Sequence, residues 1–242
     1  MRPVTKIEWP QEEESGNRKS YNPHTKAKTD LEGHLGCYCS YCEVFSSDLE
    51  VEHIISRDQD STLIRDWDNF LVACGRCNGK DNKSNKKVDL ETMHFPHRNN
   101  TFLSFKYEEG GYVKVNPDLY GTDSFTHAEN MLNLVGLDKI PGNPKYPNLN
   151  QNDTRWMHRR VAWEWAVKYL PIFESGELSP IEVAEFASQK GFFSVWYSVF
   201  RNHDSVKKEL IKIFVGTATN CFDPDNGYQP ISRNPGNTAD PI

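Results

Sequence analysis

Two Cys-x-x-Cys pairs, Cys39/Cys42 (CSYC) and Cys74/Cys77 (CGRC), enclose the stretch of this sequence richest in chemistry. Four thiolates in two short pairs suit a tetrahedral zinc ion, and in a reducing compartment such pairs are metal ligands rather than disulfides. Between the pairs lie Glu52-His53 and Asp68-Asn69, and Asn78 directly follows the second pair. Carboxylate and amide oxygens bind hard cations, and an imidazole that titrates near neutrality moves protons. The residues therefore predict two metals: a structural zinc that clamps the ends, and a magnesium-type ion between them. Cys37 precedes the first pair (CYCSYC) and could compete as a ligand, but Cys39/Cys42 has the x-x spacing. Cys221 reads as a plain thiol.

Arg76, Lys80, Lys83, Lys86 and Lys87 cluster after the second pair, diluted by Asp81 and Asp89. Because the cluster lies next to the proposed metal site, it is expected to contact phosphate rather than merely to solvate a loop. The formal net charge of −6 argues against a protein that grips nucleic acid with its whole surface. His94 and His97 have no acid or cysteine beside them in sequence, so structural or surface roles are expected. Glu52 and His53 are neighbours, and neighbours on a regular strand face opposite sides. Both can serve one site only if the strand ends or bulges there.

These groups need elements to hold them. Mean hydropathy is low, but six Trp, ten Tyr and thirteen Phe in 242 residues are enough for a packed core. No apolar run approaches a membrane span, and the opening Met1-Arg2-Pro3-Val4-Thr5-Lys6 lacks the apolar core of a signal peptide, so a cytoplasmic location is expected. Residues 1–36 read as a polar arm and a helix from Pro23 to Leu35 stopped by Gly36. Residues 37–118 read as the chemical core: strands over Leu49–Ile55 and Phe70–Ala73, two helical turns from Cys77, and a hairpin over Thr101–Val115 turning at Gly110-Gly111. Residues 119–216 read as helical. Asp123, Asp153 or Thr154, and Asp204 are N-cap candidates, and Ser179-Pro180-Ile181-Glu182 is a capping box. Trp156, Trp163 and Trp165 at helical spacing suggest core packing ahead of a base-stacking platform. Residues 217–242, with several prolines, read as a flexible tail. The fold class expected is α+β.

The order CSYC, Val51-Glu52-His53-Ile54, Trp67-Asp68-Asn69-Phe70-Leu71, CGRCN resembles the HNH endonuclease family of ββα-metal type. The resemblance implies a hairpin and helix around one divalent ion, Mg²⁺ or Mn²⁺, with a structural Zn²⁺ beside it. It implies His53 as general base, Glu52 and Asn78 as metal ligands, and Asn69 as the residue that fixes the loop. Asn78 stands where many members carry His. The opening residues, Tyr41-Cys42-Glu43 and Ala128-Glu129-Asn130-Met131-Leu132-Asn133-Leu134 further resemble the PtuB family, over roughly residues 1–140. These are HNH components of Septu-type anti-phage defence that also occur as retron effectors. This resemblance implies a nucleic-acid substrate, DNA ahead of RNA, and an ATPase partner similar to PtuA. In the retron setting it adds a reverse transcriptase with its RNA/DNA hybrid. Two other readings stand beside it: a non-catalytic zinc-dependent module binding nucleic acid or protein, and an RNase acting on structured RNA such as tRNA.

Overall fold

A computed structural model describes residues 1–84, 86–149, 153–237 and 240–242. The architecture is α+β, with small antiparallel ribbons followed by a helical C-terminal half. After a 3-10 turn at His24–Ala27, helix α1 (Lys28–Leu35) ends at Gly36, whose φ of 74° lies in the left-handed region. Strands β1 (Leu49–His53) and β2 (Phe70–Cys74) form the first ribbon, with Leu49 opposite Cys74 and His53 opposite Phe70. Phe70, Leu71, Val72 and Ala73 are all buried, as a short apolar run with both faces covered should be.

The two helical turns expected from Cys77 are a single turn, α2 (Gly75–Asn78). Gly79 leaves the helix with extended backbone (φ −75°, ψ 170°). The Asn82 side chain then donates to the Arg76 carbonyl at 2.8 Å, satisfying a helix-end acceptor that a second turn would have used. Helical turn α3 (Thr101–Ser104) leads into β3 (Phe105–Glu108) and β4 (Tyr112–Val115), so the expected hairpin begins at Phe105 and not at Thr101. Its turn uses Gly110 and Gly111 at φ of 80° and 82°. Gly111 also lies against the following helical half: a Cβ there would stand 2.1 Å from the Trp156 carbonyl oxygen.

The helices are α4 (Asp123–Val135), α5 (Arg155–Glu174), α6 (Pro180–Lys190), α7 (Phe193–Val199) and α8 (Asp204–Ile213). Thr122, one residue before the expected Asp123, caps α4, and His203 occupies the N-cap position of α8. Both bonds of the Ser179/Glu182 capping box are present on α6. Trp156, Trp163 and Trp165 on α5 are half-buried. No helix among the described residues is long and apolar enough to cross a membrane.

Residues 217–242, expected as a flexible tail, are laid down on the body of the protein over their described positions. Strands β5 (Phe222–Asp223) and β6 (Gln229–Pro230) pair, Cys221 and Phe222 are buried, and Arg233 donates to the Pro96 and Val4 carbonyls at 3.0 and 3.2 Å. Prolines read as disorder from sequence, but here they punctuate a strap whose backbone is hydrogen-bonded to partners far away in the chain. Two apolar clusters organise the whole. One gathers the N-terminal arm, the first ribbon and α4, and the other gathers α6, α7, α8 and Phe222.

Candidate functional site

Cys39 and Cys42 lie on a tight loop ahead of β1, closed by Cys39 N–H to Val44 O at 3.0 Å and Glu43 N–H to Cys39 O at 2.9 Å. Cys74 ends β2 and Cys77 sits in α2. The four sulfurs lie within 4.8 Å of one another, with Cys42 and Cys74 3.6 Å apart. A tetrahedron with Zn–S bonds of about 2.3 Å has edges of about 3.8 Å, so the spacing fits zinc. Burial pushes the Cys39 thiol well up, a cost of ionisation that a bound cation would offset. Cys37 stands outside the cluster. The Arg155 guanidinium donates to Cys77 Sγ at 3.3 Å, to the Val135 and Gly136 carbonyls at 2.8 Å each, and pairs with Asp153 at 2.7 Å. Four thiolates on Zn²⁺ carry excess negative charge, and this buried cation from α5 sits against it. No local pattern points to Arg155, which lies 78 residues beyond Cys77.

A cavity of about 470 Å³ opens beside this cluster, and His53, Glu52, Glu50, Asn78, His24 and Arg57 are among its walls. The alternation problem at Glu52-His53 is resolved because β1 stops at His53 and the chain bends at once. His53 packs edge-on to Phe70 (ring centroids 5.2 Å apart) and against His24 (4.7 Å). Its Nε2 lies 3.1 Å from the Ile64 carbonyl oxygen. A carbonyl only accepts, so Nε2 carries the proton and Nδ1 keeps its lone pair. Burial, then the nearby His24, Arg57 and Lys83, lower the His53 pKa against the pull of the Ile64 carbonyl. The imidazole is therefore neutral at pH 7 and able to accept a proton.

Asn69 stands where it can fix the loop that supplies Ile64. Its Oδ1 accepts from Ile55 N–H at 2.8 Å, and its Nδ2 donates to the Ile55 and Leu63 carbonyls at 2.9 and 3.3 Å.

Glu52 is buried, and its Oε1 receives Tyr41 Oη at 3.1 Å and Lys83 Nζ at 2.5 Å. Burial raises its pKa, and Lys83 and Tyr41 pull it back. Asn78 donates from Nδ2 to Glu50 Oε2 at 2.8 Å. Glu50 is a wall residue that the sequence reading passed over. The signal was present, since residues two apart on a strand share a face and Glu50 lies two before Glu52.

The basic cluster does not behave as expected. Lys83 is fully buried, its ammonium fixed between Glu52 and the His53 carbonyl (2.6 Å), so it cannot reach a phosphate in solvent. Arg76 pairs with Asp81 at 3.4 Å, and Lys86 donates to the Leu134 carbonyl at 3.2 Å. Lys80 and Lys87 are exposed, and none of the five lines the cavity. The early end of α2 turns this segment back under β1. The cations on the cavity wall are instead Arg57 and Lys28.

The carboxylates of Glu50 and Glu52 and the amide oxygen of Asn78 make a hard, all-oxygen donor set beside an imidazole, which suits Mg²⁺ or Mn²⁺. In comparison with known proteins, the chain is 40% identical over 55 residues to the Septu protein PtuB of Bacillus thuringiensis. That match spans 21% of this chain and 21% of the relative's length. A match to a family model falls on the segment whose geometry has just been described: residues 38–84, from the first cysteine loop to just past the buried Lys83, match the model of the HNH endonucleases.

Proposed function

We propose that this chain is a divalent-metal-dependent HNH endonuclease that hydrolyses nucleic-acid phosphodiester bonds, with His53 as its general base. The observation that carries the reading is the held tautomer of His53: Nε2 donates to Ile64 O at 3.1 Å, and the free Nδ1 belongs to a wall residue of the carboxylate-lined cavity. His53 Nδ1 takes a proton from a water as that water's oxygen bonds to phosphorus. The bond from phosphorus to the 3′ oxygen breaks in line, and the leaving oxygen is protonated by solvent, giving 5′-phosphate and 3′-hydroxyl ends. Glu52, through the oxygen not used by Lys83 and Tyr41, and Asn78 Oδ1 would hold Mg²⁺ or Mn²⁺, which supplies charge stabilisation at the phosphate and leaving oxygen. Asn69 and Lys83 position the base and the carboxylate. Arg57 and Lys28 are the cations placed to meet the backbone phosphates.

The experiment is plasmid and total-RNA cleavage by wild type and His53→Ala with Mg²⁺ or Mn²⁺. General-base loss should lower the rate by roughly 10² to 10⁴ with the fold intact. Wild-type cleavage by His53→Ala would leave the base elsewhere. Nucleic-acid binding without hydrolysis in wild type would favour the non-catalytic module.

The likeness to PtuB supports a role in Septu-type anti-phage defence beside a larger ATPase subunit similar to PtuA. A net-acidic nuclease with few cations at its cavity binds nucleic acid weakly alone, which favours substrate capture by a partner. Among the described aromatic residues of 119–216, Tyr120 and Phe186 are exposed and are the ones open to such a partner. Co-expression with an adjacent ATPase gene and size-exclusion chromatography tests this. Separate elution together with strong cleavage by the isolated chain would reject it.

A further inference from the structure

His94 was expected to lack an acidic companion, but the docked C-terminal strap brings one. Asp240 places Oδ1 and Oδ2 at 3.0 and 3.1 Å from His94 Nε2, and Oδ2 at 3.2 Å from His127 Nδ1. The three donor atoms lie within 4.8 Å of one another. Ser124 Oγ, one helical turn before His127 on α4, donates to Asp240 Oδ1 at 3.0 Å and fixes the carboxylate. On the far side of the first ring, His94 Nδ1 lies 2.8 Å from Ser104 Oγ. In the metal-free cluster Nε2–H donates to the Asp240 carboxylate and Nδ1 accepts from the Ser104 hydroxyl; with a metal on Nε2 the ring proton would sit on Nδ1 and donate to that same hydroxyl, a second partner that orients a metal-binding imidazole.

We propose that His94, His127 and Asp240 form a second transition-metal site, of zinc type, that clasps the C-terminal strap to α4 and to the loop before α3. Two imidazoles and one carboxylate are a borderline donor set that selects Zn²⁺ over Mg²⁺ or Ca²⁺. Ligand bonds of about 2.0–2.1 Å in a tetrahedron require donor separations of about 3.3–3.4 Å, so each histidine nitrogen needs to move only a few tenths of an ångström from the Asp240 oxygen it faces at 3.0 or 3.2 Å, and the three donors already lie within 4.8 Å of one another. His94 is fully buried, whereas His127 and Asp240 keep 15% and 16% side-chain exposure, which leaves an open side for water as a fourth ligand. The site shares no residue with the cavity around His53 and does not depend on the nuclease reading.

The competing account is a metal-free Asp–His hydrogen-bond cluster, and stoichiometry separates the two. Full-length protein stripped with a chelator, reloaded with Zn²⁺ and desalted should hold two zinc ions per chain by mass spectrometry of metals. Asp240→Asn and His127→Gln, which keep polar groups of similar shape, should each hold one. Ser104→Ala should weaken the second site by roughly 10–100-fold without touching the first. With Co²⁺, the cysteine site gives intense thiolate charge-transfer absorption, and the second site should add only weak ligand-field bands that vanish in Asp240→Asn. Zinc should also slow proteolysis within residues 223–242 in wild type but not in Asp240→Asn. One zinc ion per chain at saturation in wild type, or two retained in both Asp240→Asn and His127→Gln, overturns the proposal.

Discussion

The Lys83 ammonium sits 2.5 Å from the Glu52 carboxylate and 2.6 Å from the carbonyl oxygen of His53, with both side chains of the ion pair at 1% exposure. One buried cation thus joins the Glu52 carboxylate and the His53 backbone within the residues that match the HNH model. Removing one partner of a buried pair leaves the other charge without compensation. Lys83→Met should therefore lose about 3–5 kcal/mol of stability. Adding Glu52→Leu to Lys83→Met should recover most of that loss, because two apolar groups of similar volume leave no orphaned charge. Urea denaturation of the single and double variants measures both. A single variant as stable as wild type would mean that the pair is not formed in solution.

The pH profile follows from His53. Its folded pKa lies below 6.5, mainly through burial, and under the proposed mechanism the neutral imidazole is the reactive form. Cleavage should then be flat across neutral pH and fall tenfold per unit below the folded pKa. For stability the sign is the same. The unfolded chain binds the proton more readily, so the contribution of this group is complete above 6.5 and is lost as pH falls through the folded value. A kcat/KM profile and an NMR titration of the His53 ring provide the two readings. An acid limb centred above 6.5 would sink the assignment.

How much of this could be read from residues depended on range in the chain. The cysteine pairs and the β1–β2 ribbon lie within about forty residues, and their types and spacing carried them, whereas the roles proposed for His53 and Asn69 come from the resemblance to the HNH family. Lys83 defeated the reading because its fate depended on where α2 ended, and that was set by Gly79 and Asn82 rather than by charge pattern. Arg155 against Cys77, and Asp240 against His94, are pairings across 78 and 146 positions. Nothing local marks either residue as a partner. The described part of the strap at 217–242 departs from the expected flexible tail for the same reason, since it is held by groups such as Arg2, Asn100 and Asn99 elsewhere. Arg2 bonds Thr217 Oγ1 at 2.9 Å, Asn100 bonds the carbonyls of Cys221 and Ile231 at 2.8 Å, and Asn99 bonds that of Ile242 at 2.9 Å.

Removal of the cysteine-bound metal should unfold more than the loop. Cys39, Cys42, Cys74 and Cys77 join the first loop, β2 and α2, and Arg155 ties α5 to the same sulfurs. Zinc binding free energy at such sites is folding free energy. Cys74→Ser should lose the ion, and thermal unfolding should show α5 melting with the β1–β2 ribbon and α2. A Cys74→Ser protein with wild-type melting and full zinc content would contradict this.

Asn69 offers the sharpest separation of positioning from chemistry. Its amide spans the loop between β1 and β2, with Ile55 at 2.8 and 2.9 Å and Leu63 at 3.3 Å, and the adjacent Ile64 carbonyl holds the base at 3.1 Å. Asn69→Ala removes all three bonds and leaves the Ile55 N–H and carbonyl partly shielded from water. The stability cost should be about 1–3 kcal/mol. The larger effect should fall on kcat, because the loosened Ile64 carbonyl no longer fixes the tautomer and angle of His53. KM should change little, since Asn69 faces the loop and not the cavity. Asn69→Asp should not restore activity: its carboxylate can accept from Ile55 N–H but cannot donate to the two carbonyls. The pH profile is the reading that a merely structural residue would leave alone. Freed from its carbonyl, the His53 ring samples both tautomers, and its titration should move from the wild-type value in the Asn69→Ala protein. Equal losses in kcat and substrate affinity with an unmoved titration would make Asn69 a residue of the fold alone.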